Sequence, residues 1–133
     1  MRISVKVDRT KNYIKVSKDI REQVERLIVY GTNEVRNTAI TGITQGKKSG
    51  SIRPDGSQAS AVGEFPAADT GFLHSNIVVS LDSDRLGGSI ESRADYSSAL
   101  EFGTKNTGAR PFMQPSLEQT RPKLRRRLKQ VFK

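Results

Sequence analysis

Residues that could carry out chemistry are sparse, and His74 is the only histidine in the chain. A Ser–His–Asp triad and most zinc sites need a histidine, but nothing that flanks His74 resembles either site. We therefore interpret it as an ordinary residue at the start of a strand. Lys47 and Lys48 stand between Gly46 and Gly50, but their spacing is not that of a phosphate-binding loop, and no strand leads into them. These patterns predict no catalytic residue, no metal site and no cofactor, so we do not expect an enzyme.

The triplet Asp69-Thr70-Gly71 has the composition of the catalytic motif of aspartic proteases. In those enzymes two copies bring two carboxyls together so that they share a proton, and a homodimer would supply the second copy. Such a site needs an apolar strand that leads into the aspartate, whereas residues 66–68 are Pro-Ala-Ala. The alternative, which the flanking sequence favours, is a polar turn in which Asp69 or Thr70 caps the segment that follows.

Positive charge is concentrated at the C-terminal end of a chain whose formal net charge is +9. The rest of the chain, residues 1–118, has a net charge of only +2. A basic end indicates a polyanionic partner, either nucleic acid or an acidic protein surface. The run Arg125-Arg126-Arg127 would neutralise DNA phosphates without reading sequence, or it is a solvated helix end whose cations favour the helix dipole. Residues 119–133 contain no carboxylate and seven cations, namely Arg121, Lys123, Arg125, Arg126, Arg127, Lys129 and Lys133.

Length and composition set the scale of the fold. A chain of 133 residues fits one domain. Only 34% of it is hydrophobic and there is no tryptophan, which predicts a modest core and a substantial segment outside it. The absence of cysteine excludes disulfides and thiolate metal sites, and it fits a reducing cytoplasm. No secretory signal is visible, and no apolar run approaches the roughly 20 residues of a membrane helix, so we expect no membrane partner.

Hydrophobic periodicity predicts a strand and then a long helix in the N-terminal third. Residues 2–7 alternate between polar and apolar side chains, as a strand does. From Ser17 or Lys18 to about Thr44, apolar residues recur every three or four positions, as on an amphipathic helix with Ser17 at its N-cap. Gly31 within this helix marks either a break or the close approach of another element. The apolar stripe consists of Ile20, Val24, Leu27, Ile28, Gly31, Val35, Ala39 and Ile43.

The middle of the chain changes character. Residues 45–71 are rich in Gly, Ser and Pro and show no sustained period, which predicts a long flexible loop that orders only against neighbouring subunits. An apolar run over residues 74–81 indicates a strand. Residues 82–85 have the composition of a turn, and residues 88–94 form the expected return strand of an antiparallel hairpin.

The last third predicts a final helix. Residues 96–102 suit a short helix or a strand, residues 103–108 a turn, and Pro115 opens the last helix. Pro122 either kinks this helix or marks where its regular part begins. The sequence therefore predicts one α+β domain in which a long N-terminal helix and a basic C-terminal helix (119–133) pack on a small antiparallel sheet. The residues expected to face inward from the last helix are Leu117, Leu124, Leu128 and either Val131 or Phe132.

The most informative stretch joins a Glu-Phe-Gly-Thr tetrapeptide to an Arg-Pro-Phe tripeptide. Gly103 allows the chain to turn with a positive φ, and Arg110-Pro111 enforces an extended entry into the helix. Phe112 and Met113 then provide an apolar anchor just before the helix begins at Pro115. Phenylalanine and arginine are typical of the residues that dominate protein interfaces, and the alternative is a loop that packs into its own core. The candidate interface or structural residues are Glu101, Phe102, Gly103, Thr104, Arg110, Pro111 and Phe112.

This stretch resembles the tail-component family of long-tailed bacteriophages, described as tail-completion or head–tail joining proteins. Its members carry Tyr-x-x-x-Leu/Val-Glu-Phe-Gly-Thr and then, after a short gap, Arg-Pro-Phe-hydrophobic-x-Pro. Members also tend to have a Gly/Ser/basic loop that ends in Pro-x-x-Asp-Thr-Gly-x-Leu. The resemblance spans roughly residues 17–130, with both helices in the expected order. The further matching residues are Tyr96, Leu100, Met113 and Pro115 in the first pattern and Pro66, Asp69, Thr70, Gly71 and Leu73 in the second.

The resemblance implies a structural protein of the virion neck or tail that is present in the host cytoplasm during assembly. Such proteins act as rings of identical copies, presenting two different faces to their neighbours, with a copy number expected to match the six-fold symmetry of the tail. The implied partners are other copies of the chain, the phage connector, and the tail-tube or tail-terminator proteins. The competing hypothesis is a small nucleic-acid-binding protein that uses the basic helix, and the two are compatible because DNA passes through the junction.

Overall fold

The structure is a computed structural model that describes residues 1–6 and 18–132. It has the predicted α+β architecture, with two long helices and a three-stranded antiparallel sheet. The elements in chain order are β1 (Arg2–Lys6), α1 (Lys18–Gln45), α2 (Phe72–Ser75), β2 (Ile77–Leu81), β3 (Gly87–Ser92), α3 (Ser97–Phe102) and α4 (Met113–Val131).

Helix α1 confirms the predicted amphipathic helix and ends within one residue of the expected position. The proposed N-cap, Ser17, lies outside the described residues. Gly31 proves to be a point of close approach, because a Cβ atom added there would lie 2.6 Å from Cδ2 of Leu124 in α4. The buried residues of α1 are Val24, Leu27, Ile28, Gly31, Thr32, Val35, Ala39 and Ile43, which match the predicted stripe except at Ile20 and Thr32.

The sheet has the strand order β1-β3-β2, so β1 and β2 are its two edges. The predicted hairpin is confirmed, with Val79 of β2 opposite Ile90 of β3. Ile3 of β1 faces the same Ile90 from the other side, so the strand predicted over residues 2–7 belongs to this sheet; its last residue, Val7, lies outside the described part of the chain.

The predicted strand boundaries around the hairpin were too wide. His74 does not begin a strand, because residues 72–75 form the short helix α2 and β2 starts at Ile77. Helix α2 ends where the backbone N–H of Asn76 donates to the carbonyl of Leu73. At the other end of the hairpin, β3 stops at Ser92 and does not reach Ala94.

Helix α4 begins at Met113, two residues before the predicted start at Pro115. A proline is tolerated in the first turn of a helix because the backbone N–H groups there have no partner within the helix. The helix runs through Pro122, so the alternative that its regular part begins at that proline was wrong. Leu117, Leu124, Leu128 and Val131 are partly buried as predicted, whereas Phe132 is 56% exposed.

The core lies where α1 crosses the sheet and the first turns of α4. For residues 96–102 the sequence allows either a short helix or a strand, and the structure shows a helix there, α3. The contacts Gly31–Leu124 and Glu34–Lys123 show that α1 and α4 run antiparallel. The buried hydrophobic residues of this cluster are Val35, Ala39, Ile43, Leu73, Ile77, Ile90, Ala94, Phe112 and Met113.

Candidate functional site

The segment from Glu101 to Phe112, which we call the elbow, links α3 to α4 and contains the motif on which the family resemblance depends. Glu101 lies in the last turn of α3 and is only 6% exposed. Its carboxylate accepts hydrogen bonds from three backbone N–H groups at the start of α4: Phe112 (3.1 Å), Met113 (2.8 Å) and Gln114 (3.3 Å). These are N–H groups that a helix cannot satisfy internally.

Glu101 thus acts as the N-cap of a helix to which it does not belong. The residue at the N-cap position is Phe112, whose side chain makes no capping hydrogen bond. A carboxylate at this end also interacts favourably with the helix dipole. The carboxylate fixes the direction of α4 relative to α3.

Gly103 and Thr104 form the bend of the elbow. Gly103 has a φ of +76° and its N–H donates to the carbonyl of Ala99, which ends α3. A Cβ atom at Gly103 would lie 3.0 Å from the carbonyl oxygen of Thr107. Thr104 closes the loop, since its N–H donates to Thr107 O at 2.8 Å and its hydroxyl accepts the Thr107 N–H at 3.1 Å. Both residues are therefore explained by the local turn.

Arg110 connects the elbow to residues 46–71, which we call the long segment. Its Nε donates to the carbonyl of Ser60 at 3.2 Å, and its backbone N–H donates to Leu100 O at 2.6 Å. A second link runs from the N–H of Gly63 to Ala109 O at 2.9 Å. Arg110 therefore stabilises the chain's own structure at this position.

The two phenylalanines of the motif lie in opposite environments. Phe112 has no exposed surface and belongs to the core. It therefore packs into the chain's own core and is not an interface residue. Phe102 is 74% exposed, more than any other exposed large hydrophobic residue in the described part of the chain. Glu101, Gly103, Thr104, Arg110 and Phe112 each have a structural role, and Phe102 is left without one.

The long segment is irregular, as predicted, but it is fastened to its own chain at several points. Among the described residues, its only isolated β-bridge pairs Ile52 with Gln58 in the antiparallel sense. Glu64 accepts hydrogen bonds from the N–H of Ser49 (3.0 Å), the hydroxyl of Ser49 and the N–H of Ala61 (2.8 Å). These donors hold the pKa of Glu64 at about 2. That the segment is flexible and orders only against neighbouring subunits stays a prediction.

A lysine of the long segment caps the C-terminal end of α1. Nζ of Lys48 donates to the carbonyls of Gly42 (2.7 Å) and Phe65 (2.9 Å). Burial lowers the pKa of Lys48, and the nearby Glu64 charge opposes that effect. Lys48 therefore links the last turn of α1 to the long segment through two backbone carbonyls.

The triplet Asp69-Thr70-Gly71 forms the polar turn that was favoured over a protease site. The hydroxyl of Thr70 accepts the N–H of Phe72 at 3.3 Å, and Gly71, with φ at +86°, is the N-cap of α2.

An open cleft of about 620 Å³ lies beside this turn, lined by residues that include Arg53, Tyr96 and Arg110. Burial is the main cause that raises the pKa of Tyr96.

The cations of α4 fall into two groups. Arg127 stacks over the ring of Tyr30 in α1, with 3.7 Å from Cζ to the ring centroid. Lys123 pairs with Glu34 of α1 at 3.5 Å. Among the described residues, the other cations of α4 have no carboxylate within ion-pair distance, and all are exposed: Arg121, Arg125, Arg126 and Lys129. The run Arg125-Arg126-Arg127 is thus divided between two helix faces.

Within residues 1–6 and 18–132, no cluster of His, Asp and Glu side chains could hold a metal ion. In the same residues, no helix is both long and apolar enough to cross a membrane. Comparisons of the chain with protein-family models, curated proteins and solved structures found no match.

Proposed function

We propose that this chain is a structural virion-assembly protein that joins head to tail, or completes the tail, in a long-tailed bacteriophage. The observation that carries the proposal is the elbow, where the motif residues of that family hold a fixed bend and leave Phe102 at 74% exposure. An apolar side chain on a rigid support suits a contact with another subunit, because little conformational entropy is lost on binding.

Assembly into a ring around the DNA channel requires two different faces on each subunit. Phe102 offers one apolar contact. The outer edges of β1 and β2, with which no other strand of the described residues pairs, offer contacts of different chemistry. The proposed partners are other copies of this chain, the phage connector, and the tail-tube or tail-terminator proteins. The proposed location is the virion neck or tail, after assembly in the host cytoplasm.

The test is electron microscopy of particles from an induced phage in which this gene is disrupted. We expect full heads and separate tails, and we expect the wild-type gene supplied in trans to restore joined particles. Joined, infectious particles in the absence of the gene would overturn the proposal.

Complementation with variants tests the contact itself. We expect Phe102→Asp to fail to restore joining and Phe102→Leu to restore it, since leucine keeps an apolar side chain. Phe132→Asp is the control, because Phe132 is also exposed, at 56%, but lies outside the elbow. Thermal unfolding of each purified variant checks the fold. Full restoration by a folded Phe102→Asp protein would remove the elbow from the proposed interface.

A further inference from the structure

We propose that a row of cations on the outward face of α4 binds the phosphate backbone of double-stranded DNA without reading base sequence. The row consists of Arg121, Arg125 and Lys129, with Arg126 beside it. The choice of DNA over other polyanions rests on the proposed function, whereas the existence of the cationic row does not.

The row contains the cations of α4 that have no structural partner on α1. Lys123 and Arg127 face α1, where Glu34 and Tyr30 hold them. These contacts, with Leu124 packed against Gly31, fix the rotation of α4 about its axis. The remaining cations of α4 are exposed, and no ion pair with a described carboxylate holds them.

The spacing of the row suits a continuous line of negative charge. Residues four positions apart lie on one side of a helix, and at 1.5 Å per residue they are about 6 Å apart along its axis. The row from Arg121 to Lys129 is thus about 12 Å long. Double-stranded DNA carries one negative charge about every 1.7 Å of its axis, counted over both strands, so a row of this length faces a dense line of negative charge.

The composition of this face favours a duplex over single-stranded nucleic acid. Proteins that hold single strands place aromatic side chains between the cations, on which bases stack. Residues 121–129 contain no aromatic residue. The stretch also lacks asparagine and glutamine, which read adenine in the major groove. Arginine and lysine also contact guanine in the major groove, so binding through phosphates alone is part of the proposal and does not follow from the composition.

The experiment measures binding of the purified full-length protein to a 30-base-pair DNA duplex of arbitrary sequence, by fluorescence anisotropy over a range of NaCl concentrations. The outward double variant Arg125→Gln/Lys129→Gln is compared with the inward double variant Lys123→Gln/Arg127→Gln. Each variant replaces one arginine and one lysine of the same helix, so both lose two charges. Thermal unfolding confirms that both fold.

We expect the outward variant to lower the slope of log K against log salt concentration by about 1.8, which is about 0.9 for each phosphate contact. Between 50 and 200 mM salt, the affinity of the wild type should then fall by about 12-fold more than that of the variant. The inward variant should keep the slope of the wild type. The absence of salt-dependent DNA binding, or equal effects of the two variants, would overturn the inference.

The outcome is separable from that of the proposed function. If disruption of the gene separates heads from tails but the pure protein does not bind DNA, this inference fails and the assembly role stands. If the protein binds DNA through the outward row but particles join without it, the assembly role fails and the DNA contact stands.

Discussion

The elbow and the long segment are both irregular in backbone, and each is organised around a carboxylate that accepts three hydrogen bonds. Glu101 binds the N–H groups of Phe112, Met113 and Gln114. Glu64 binds the N–H and hydroxyl of Ser49 and the N–H of Ala61. The chemistry is the same, but Glu101 is buried and Glu64 is partly exposed.

The difference shows how burial decides what a hydrogen-bonded carboxylate contributes. When a buried acceptor is removed, its donors are left without water or protein partners, and the cost is that of desolvating them. When an exposed acceptor is removed, water takes its place. We therefore expect the elbow to be a rigid part of the fold. The long segment should be the part whose structure changes with pH or on binding a partner.

The largest effect should come from the apolar anchor of the elbow. Phe112→Ala removes a fully buried ring from the core and should lower the free energy of unfolding by about 3–5 kcal/mol. Phe65→Ala is the matched change in the long segment, where the ring packs on Gly42 but stays partly exposed. Chemical denaturation measures both variants. Equal losses would show that the long segment belongs to the core as much as the elbow does.

The next effect concerns the two carboxylates. Glu101→Ala leaves the first N–H groups of α4 without a partner and should cost about 2–3 kcal/mol. Glu101→Gln should cost less, because the amide keeps one oxygen acceptor. Glu64→Ala should destabilise the protein less than Glu101→Ala does, and denaturation curves of the three variants give the order. A larger loss for Glu64→Ala would reverse the comparison.

The sequence predicted the elements that depend on periodicity. The stripe of α1 and the alternation of β1 follow from spacings of three to four and of two, which burial imposes on any helix or strand. The β2–β3 hairpin was predicted from an apolar run that is followed by a turn. Gly31 was recognised as a special position within α1. The prediction could not choose between a break and a close approach, because the residue that contacts it, Leu124, is 93 positions away.

The role of Glu101 was not predicted, because its donors are 11–13 residues further along the chain. The start of α4 gave no signal either, because the sequence predicted it at Pro115, and only the structure shows that the N-cap residue is Phe112, a phenylalanine that cannot cap a helix with its side chain. The roles of Lys48 and Glu64 were missed for a related reason. Composition identified residues 45–71 as irregular, but irregular segments have no period from which contacts could be inferred.

The smallest effect should be the loss, at acid pH, of the stability that Glu64 contributes to the long segment. The pKa of Glu64 is lowered from an ordinary 4.5 to about 2 in the folded chain, chiefly by the hydrogen bond from the Ser49 hydroxyl. A carboxyl with a depressed pKa stabilises the fold above its unfolded value, and that contribution is lost as the pH falls through the folded value. We therefore expect the contribution to be full above about pH 4.5 and to disappear towards pH 2.

Nuclear magnetic resonance can follow this loss at the donors themselves. The amide signals of Ser49 and Ala61 should titrate with a midpoint near pH 2, and those shifts should be absent in Glu64→Gln. A midpoint near pH 4.5 at Ser49 would mean that its hydrogen bonds to Glu64 do not persist in solution, and that the long segment is held by Arg110 and Lys48 without this carboxylate.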